Sequence, residues 1–434
     1  MTISSGTIIT HGLAEYKVLD KIDSGGFGVV YLAERLKPFP KKVAIKVPAE
    51  HILSHPVWSK KFVREARILG NIRHRNVVKI IAFMEFSDGQ KALVQELVRG
   101  AVSLSLAVKQ DPSQAPSYFL QALYAIRACH GEGGSAGAIH RDLSPSNILI
   151  GEDGILKVID FGLAKEDPRL TEKLTQAQEW FGTPGCMSPE QYDGSAEVNH
   201  RTDLFALGRS FAAAIQGRTT LHAKPESLAE PWSLLCSKLA EHEVGDRYQS
   251  ATEALDAAFM AFADYNINIG SMGIHVEEIA KHPLPNDVAW SRFCAAYFAN
   301  QVGYSTQDLY WLAQISPAVF ISTHVDANHL LDTLEQSAGV AGVAVGDGFF
   351  DDADPLGTLY RRLYPALSTT SKLTCFTRLC EIAIARHRYH VMGCVRAAYG
   401  KETNSATLLQ LMQILDKVDP TSIIEGRGVI PRTP

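Results

Sequence analysis

Three oxygen-bearing side chains stand close together near the middle of the chain: Asp142 and Asn147 in His140-Arg141-Asp142-Leu143-Ser144-Pro145-Ser146-Asn147, and Asp160 in Asp160-Phe161-Gly162. They flank two short β-rich runs, Ile148-Leu149-Ile150 and Leu156-Lys157-Val158-Ile159, so each falls on a loop at a strand end. A hard cation such as Mg²⁺ takes oxygen ligands and shares them with substrate phosphates, and this set supplies them. Upstream, Ser24-Gly25-Gly26-Phe27-Gly28-Val29-Val30-Tyr31 is a glycine-rich turn running into a strand. Glycines let backbone amides approach phosphate oxygens, although taken by itself this stretch is better explained as a plain hairpin turn. A strand after the turn, where a dinucleotide site would need a helix, argues against dinucleotide binding. Val43-Ala44-Ile45-Lys46 then puts a lysine in a half-apolar strand. A buried lysine requires a carboxylate, and Glu65, on a helix farther along, is the candidate partner.

The elements that must hold these groups change character along the chain. The first hundred or so residues read as strands separated by Gly, Pro and Lys, interrupted by one helix, Trp58 to Ile72, with Phe62, Ala66 and Leu69 on one stripe. Beyond residue 103 apolar helical faces recur over Tyr118–Cys129, Asp203–Ile215, Pro231–Glu241 and Ser250–Ala263. A β-rich part followed by a helix-rich part predicts an α+β arrangement in two lobes. The length, 434 residues, allows two to three domains at roughly 150 residues each. With 46% hydrophobic and 21% charged residues, the composition excludes disordered, collagenous and coiled-coil classes. A net charge of −5 gives no electrostatic reason to expect nucleic-acid binding. Seven scattered cysteines argue against a disulfide framework or zinc ribbon and point to a reducing, cytoplasmic compartment. Cys375 and Cys380 are best explained as one buried helix face. No secretory leader or bilayer-spanning run is evident, so no membrane association is expected.

In these motifs, their order and their spacing, residues 14–262 resemble the protein kinase family. Further matches are Gly182-Thr183-Pro184 in its substrate-facing loop, Ser188-Pro189-Glu190 at the end of its activation segment, Asp203 with Gly208 in its central helix, and Arg247 as the partner of Glu190. The resemblance implies a two-lobed kinase fold, with a β-rich N-lobe and a helical C-lobe, and helical periodicity beyond residue 262 predicts an all-α C-terminal domain after it. It implies ATP and Mg²⁺ as cofactors, Lys46 on the phosphates held by Glu65, Asp160 and Asn147 as Mg²⁺ ligands, and Asp142 as the group receiving the substrate hydroxyl proton. Gly25, Gly26 and Gly28 would cover the phosphates. Val30, Ala44 and Leu149 would sandwich the adenine, Gln95 would sit behind it, and Glu96 and Val98 would form the hinge along its edge.

Several positions depart from the family pattern. Asp23 replaces the first loop glycine, and Ser144 stands where a lysine usually neutralises the transferring phosphoryl group. Loss of such a cation belongs to a class of effects worth ~2.7–4 kcal/mol. Gly185 and Cys186 replace larger residues and leave the peptide preference open. Glu179 occupies the position most often phosphorylated, where its carboxylate can pair with Arg141 and order the loop, while Thr171, Thr175 and Thr183 are the regulatory threonines of the segment.

Residues 1–13 read as an N-terminal extension, 263–425 as a helical accessory domain, and 426–434, with two prolines, as a poorly ordered tail. Periodicity marks helices over Trp290–Gln301, Asp308–Leu312, Ala327–Gln336, Thr374–Ala398 and Ala406–Val418. Asp308–Leu330 is spaced like a helix-turn-helix, but its aromatic residues fit core packing better. No Lys or Arg occurs between Arg292 and Arg361, whereas Arg361–Lys401 holds eight basic residues against Glu381 alone. That segregation is where a protein partner would bind. The expected activity is transfer of the ATP γ-phosphate to Ser or Thr hydroxyls of protein substrates and of the chain itself, in a bacterial-looking kinase. The alternative is a nucleotide-binding pseudokinase scaffold, kept alive by Ser144 and Asp23; a small-molecule phosphotransferase fits the activation-segment match less well. If Glu179 orders the loop without phosphorylation, Glu179→Ala diminishes labelled-phosphate transfer from ATP, and undiminished transfer sinks the idea.

Overall fold

The computed structural model describes residues 3–25, 28–49, 63, 66, 69–86, 90–132, 137–160, 183, 185–193, 197–270, 272–282, 284, 288–299, 328, 331, 357–385 and 389–418. The chain divides into two units, Met1–Ala258 and Phe259–Pro434.

The first unit opens with strands β1 (Ile8–His11), β2 (Ala14–Gly25), β3 (Gly28–Lys37), β4 (Lys41–Pro48), β5 (Ile80–Glu85) and β6 (Lys91–Glu96). They form one antiparallel sheet in the order β1-β2-β3-β4-β6-β5. Because strand side chains alternate between faces, Val43, Ile45 and Val47 of β4 join Tyr31, Ala33, Ala92 and Val94 in one apolar cluster. Ala44 and Lys46 therefore belong to the other face, where the register sets Val30 opposite Lys46 and Gln95 opposite Ala44. One strand's pattern thus builds a core and a site together. Residues 3–13, set apart from this lobe on sequence grounds, supply β1 and place Ile3 and Ile9 in the same core cluster. The Ile3 N–H donates to the buried Tyr31 hydroxyl at 2.9 Å. Four residues between two turns are too short for alternation to reveal β1 in the sequence.

Of the helix predicted over Trp58–Ile72, residues 63, 66 and 69–71 are described and helical, with Ala66 and Leu69 buried as expected; Glu65 lies outside the described residues. Next come β7 (Val102–Ser103), α1 (Leu104–Gln110), α2 (Ala115–His130), β8 (Ile148–Ile150), β9 (Leu156–Val158), α3 (Pro189–Asp193), α4 (Arg201–Gln216), α5 (Trp232–Leu239) and α6 (Ala251–Asp264). Helices α2 and α4 are buried almost all round, which their near-continuous apolar sequences require. Phe119 of α2 meets Phe211 of α4 edge-on at 5.0 Å and Trp232 of α5 at 5.5 Å. The four helices predicted for this region all form.

In the second unit, α7 (Met272–Lys281), α8 (Val288–Ala299), α9 (Thr369–Ala385), α10 (Tyr389–Lys401) and α11 (Ser405–Val418) are all helical. Trp290 and Phe293 of α8 pack on Phe259. The periodic run Thr374–Ala398 is two helices, α9 and α10, packed against each other, with α11 also on α9. Each arm buries its own stripe, Cys375, Phe376 and Leu379 on one and Val391, Met392 and Val395 on the other, so periodicity runs through the break without registering it. Asp308–Leu312 and the helix-turn-helix spacing lie outside the described residues, as do 426–434. No helix among the described residues is long and apolar enough to cross a membrane.

A buried ion pair closes the helical part of the first unit. Arg247 Nη1 and Nη2 bond Glu190 Oε1 and Oε2 at 2.7 and 2.8 Å, and Thr202 Oγ1 donates to the same Oε1 at 2.8 Å. Arg247 also donates to the carbonyls of Glu241 and His242. With both side chains all but inaccessible, removing one partner strands the other charge in low dielectric. Arg247→Met is therefore expected to destabilise the fold by about 3–5 kcal/mol, read as a lower urea midpoint.

Candidate active site

The site is organised by Asp203 in the first turn of α4, a residue with no solvent exposure. Its Oδ2 accepts the His140 N–H at 2.8 Å and its Oδ1 the Arg141 N–H at 2.7 Å. His130, the last residue of α2, brings Nε2 to the same Oδ2 at 2.8 Å. Burial alone would raise the Asp203 pKa, but the His130 contact and the donated N–H groups hold it below its usual value. Two main-chain bonds to one immovable carboxylate fix Arg141 at φ 68°, a left-handed conformation costly for a residue with a Cβ. Asp142 leaves that constrained corner in a set direction.

His140 links the two loops that carry the acidic residues. Its Nε2 lies 2.8 Å from the Ile159 carbonyl, so that nitrogen carries the proton, and Nδ1 accepts the Asp142 N–H at 3.2 Å. Burial keeps the imidazole pKa below its ordinary value despite the nearby carboxylates, which suits this neutral tautomer. The Ile159 N–H donates to the Asn147 carbonyl at 2.9 Å, and Asp160, the next residue, has φ 55°.

Asp142, Asn147 and Thr183 meet directly. Asn147 Nδ2 donates to the Asp142 carbonyl at 2.7 Å and to its Oδ2 at 3.2 Å. The Thr183 N–H and hydroxyl face Asp142 Oδ1 at 3.3 and 3.4 Å. Gln191 ties the end of the segment back, donating from Nε2 to the Arg141 carbonyl at 2.9 Å. From the opposite side, Lys46 Nζ forms an ion pair with Asp160 Oδ1 at 2.7 Å. This is the carboxylate the buried lysine displays among the described residues.

Asn147 spends its amide N–H groups on Asp142, and among the described residues neither its side-chain oxygen nor Asp160 Oδ2 accepts a hydrogen bond. Two hard oxygen donors beside a lysine fit a divalent cation bound together with phosphates. The other predicted positions that are described lie on the sheet, on β8 and on the stretch after β6. Gly28 pairs with Gly25 across the turn and has φ +145°; a Cβ there would sit 2.1 Å from the Val47 carbonyl oxygen, so only glycine lets the turn lie on β4. Val30, Ala44 and Gln95 share the Lys46 face of the sheet, and Leu149 lies half-buried in β8. Among the described residues, the Val98 N–H and C=O make no hydrogen bond. The Glu96 side chain is not idle, as a pure main-chain hinge would leave it: Oε1 accepts Lys157 Nζ at 2.6 Å and the Lys79 N–H at 2.8 Å. Ser144 is fully buried, its hydroxyl 2.8 Å from that of Ser146. Gly26, Glu65, Phe161, Gly162, Thr171, Thr175, Glu179, Gly182 and Pro184 lie outside the described residues.

Sequence reasoning missed His130, Gln191 and Lys157, and took Asp203 only as a helix start. The signal was there for Asp203: a carboxylate on the apolar helix Arg201–Gln216 has to be paired if it is buried.

Residues 16–256 match the family model described as "Protein kinase domain". Serine/threonine-protein kinase pkn3 of Myxococcus xanthus is 34% identical over 203 residues, covering 45% of this chain and 36% of that protein. Serine/threonine-protein kinase pkn2 of the same organism is 30% identical over 287 residues, covering 59% and 34%. The matches span about a third of the length of these relatives. The crystal structure of the Mycobacterium tuberculosis PknI kinase domain aligns with a TM-score of 0.45 at 22% identity, over 59% of this chain and 98% of that one.

The His130–Asp203 contact gives the site a pH signature. Burial would lower the His130 pKa, but Asp203 and Glu132 outweigh it and raise it to about 9. A raised pKa stabilises the folded state fully below the unfolded value near 6.5, and the contribution disappears as pH climbs through about 9. Stability is expected to fall across that window by at most about 3–4 kcal/mol, read as a lower melting temperature. His130→Gln flattens that part of the profile in thermal melts taken from pH 6 to 10.

Proposed function

Because the chain belongs to the protein kinase family, with residues 16–256 as its kinase domain, we propose that it transfers the γ-phosphoryl group of ATP to Ser or Thr hydroxyls of proteins, itself included. The observation that carries this reading is the Lys46–Asp160 ion pair, set beside Asp142 with its Asn147 and Thr183 contacts. Lys46 binds the nucleotide phosphates and moves between them and Asp160. Asp142 orients the acceptor hydroxyl and takes its proton, its two carboxylate oxygens aimed by Asn147 Nδ2 and by Thr183. Mg²⁺, held by Asn147 and Asp160, would supply positive charge to the phosphate oxygens. The Lys46 face of the sheet, with Val30 and Ala44, receives the adenine together with Leu149, and Val98 offers it a main-chain donor and acceptor. Thr183 beside Asp142, and Ser/Thr kinases among the relatives, support a Ser/Thr acceptor.

The helices of the second unit serve, in this reading, as an accessory domain spanning 263–425 for regulation or partner recruitment. All seven cysteines are buried and free, which fits a reducing compartment such as the cytoplasm. The second reading, a nucleotide-binding scaffold, is favoured by Asp23 in the place of the first loop glycine and by Ser144, a buried hydroxyl satisfied by Ser146 that provides no cation for the migrating phosphoryl group.

Incubation of the full chain with labelled ATP and Mg²⁺ separates the two. The kinase reading expects label on the protein and on a generic Ser/Thr substrate, a loss of about 100-fold or more with Asp142→Asn, and near-complete loss with Asp160→Ala. ATP binding with no transfer by the wild-type chain would favour the scaffold.

A further inference from the structure

The stretch after Thr183 carries Gly185 and Cys186, smaller than the family pattern leads one to expect, and the structure shows what takes up the room. Gly185 has φ +84°, and a Cβ there would lie 2.4 Å from the Thr220 carbonyl carbon and 2.5 Å from Leu221 N. Residues 219–223 are thus pressed against bare main chain. Cys186 Sγ lies 3.3 Å from Ser210 Oγ, which donates to the Leu143 carbonyl, next to Asp142, at 3.0 Å. Burial pushes the Cys186 thiol up to about 11, so it stays a protonated thiol hydrogen-bonded to Ser210 of α4.

Arg209 joins these pieces. Its Nε donates to the Gly185 carbonyl at 2.9 Å, Nη1 to Ala223 at 2.9 Å and Nη2 to Thr220 at 2.6 Å. Among the described residues its hydrogen bonds all end on main-chain carbonyls, and only a planar fork can reach three of them in fixed directions. Leu221, beside the clamp, remains 62% exposed. Thr183 touches Asp142, and Gly185 is two Cα steps away, at most about 7 Å, so this surface lies beside the peptide residues flanking the acceptor.

We infer that Arg209 is a positioning residue for peptide recognition: it clamps 219–223 under the substrate-facing loop, so that Leu221 and this segment, rather than a side chain at 185 or 186, meet the peptide next to its phosphoacceptor. The inference rests on the kinase reading and assigns that site its specificity surface. The apolar Leu221 selects peptides with an apolar flanking residue.

The test uses the full chain, ATP and an arrayed library of Ser/Thr peptides varied at the positions flanking the acceptor. Arg209→Met is expected to raise the peptide KM by about tenfold or more while the ATP KM stays within about twofold, with Arg209→Lys recovering part of the loss. Leu221→Asp, at an exposed position, is expected to shift the flanking preference from apolar to basic. Should Arg209→Met melt early, Leu221→Asp decides alone. Unchanged peptide KM in a folded Arg209→Met, or an unchanged preference in Leu221→Asp, overturns the clamp. A wild-type chain that labels neither itself nor any peptide overturns the kinase reading instead, before any variant is compared.

Discussion

One buried carboxylate sets the geometry of the site. Asp203 has no contact with water, and its two oxygens meet two successive N–H groups of the loop that leads to Asp142 and one histidine from α2. A charge in such a place is tolerated only when it is paired and hydrogen-bonded, so the helix, the histidine and the loop constrain one another. The left-handed Arg141 is held by the same bonds. His140 then passes the placement on to Asp160 through the Ile159 carbonyl, so a helix side chain governs two loops.

The sheet contributes by a simpler rule. Alternation in β4 sends Val43, Ile45 and Val47 to the core and leaves Ala44 and Lys46 for the other side. A one-residue slip in register would bury the lysine in the apolar cluster and expose three core side chains, so fold stability and lysine placement are selected together. The Glu96–Lys157 pair adds a polar tie between this sheet and the β8–β9 hairpin, at the point where the chain leaves β6.

The proximity of residues held in short local motifs was legible from the sequence. Asp142, Asn147 and Asp160 sit within short motifs, and Lys46 within one strand, and the structure brings them to one place. Arg247 and Glu190, far apart in the chain, were paired through the family resemblance and do bond. What stayed hidden depends on tertiary contact. Asp203 looks like any acidic first-turn residue until its burial is known. Arg209 looks like a solvated helix residue until three carbonyls appear around it. The division of Thr374–Ala398 into α9 and α10 was invisible because both halves obey one period.

Strand β1 lies outside the limits of the family match, which begins at residue 16, yet it covers the outer side of β2 along Ile8–His11. Family limits and folding limits therefore differ here. A chain trimmed to the matched boundary would lose Ile3 and Ile9 from the core cluster, the backbone partners of Tyr16 and Lys17 on β1, and the Ile3 N–H bond to the Tyr31 hydroxyl. The core of the β-rich part is thus completed by residues that lie outside the family's own limits.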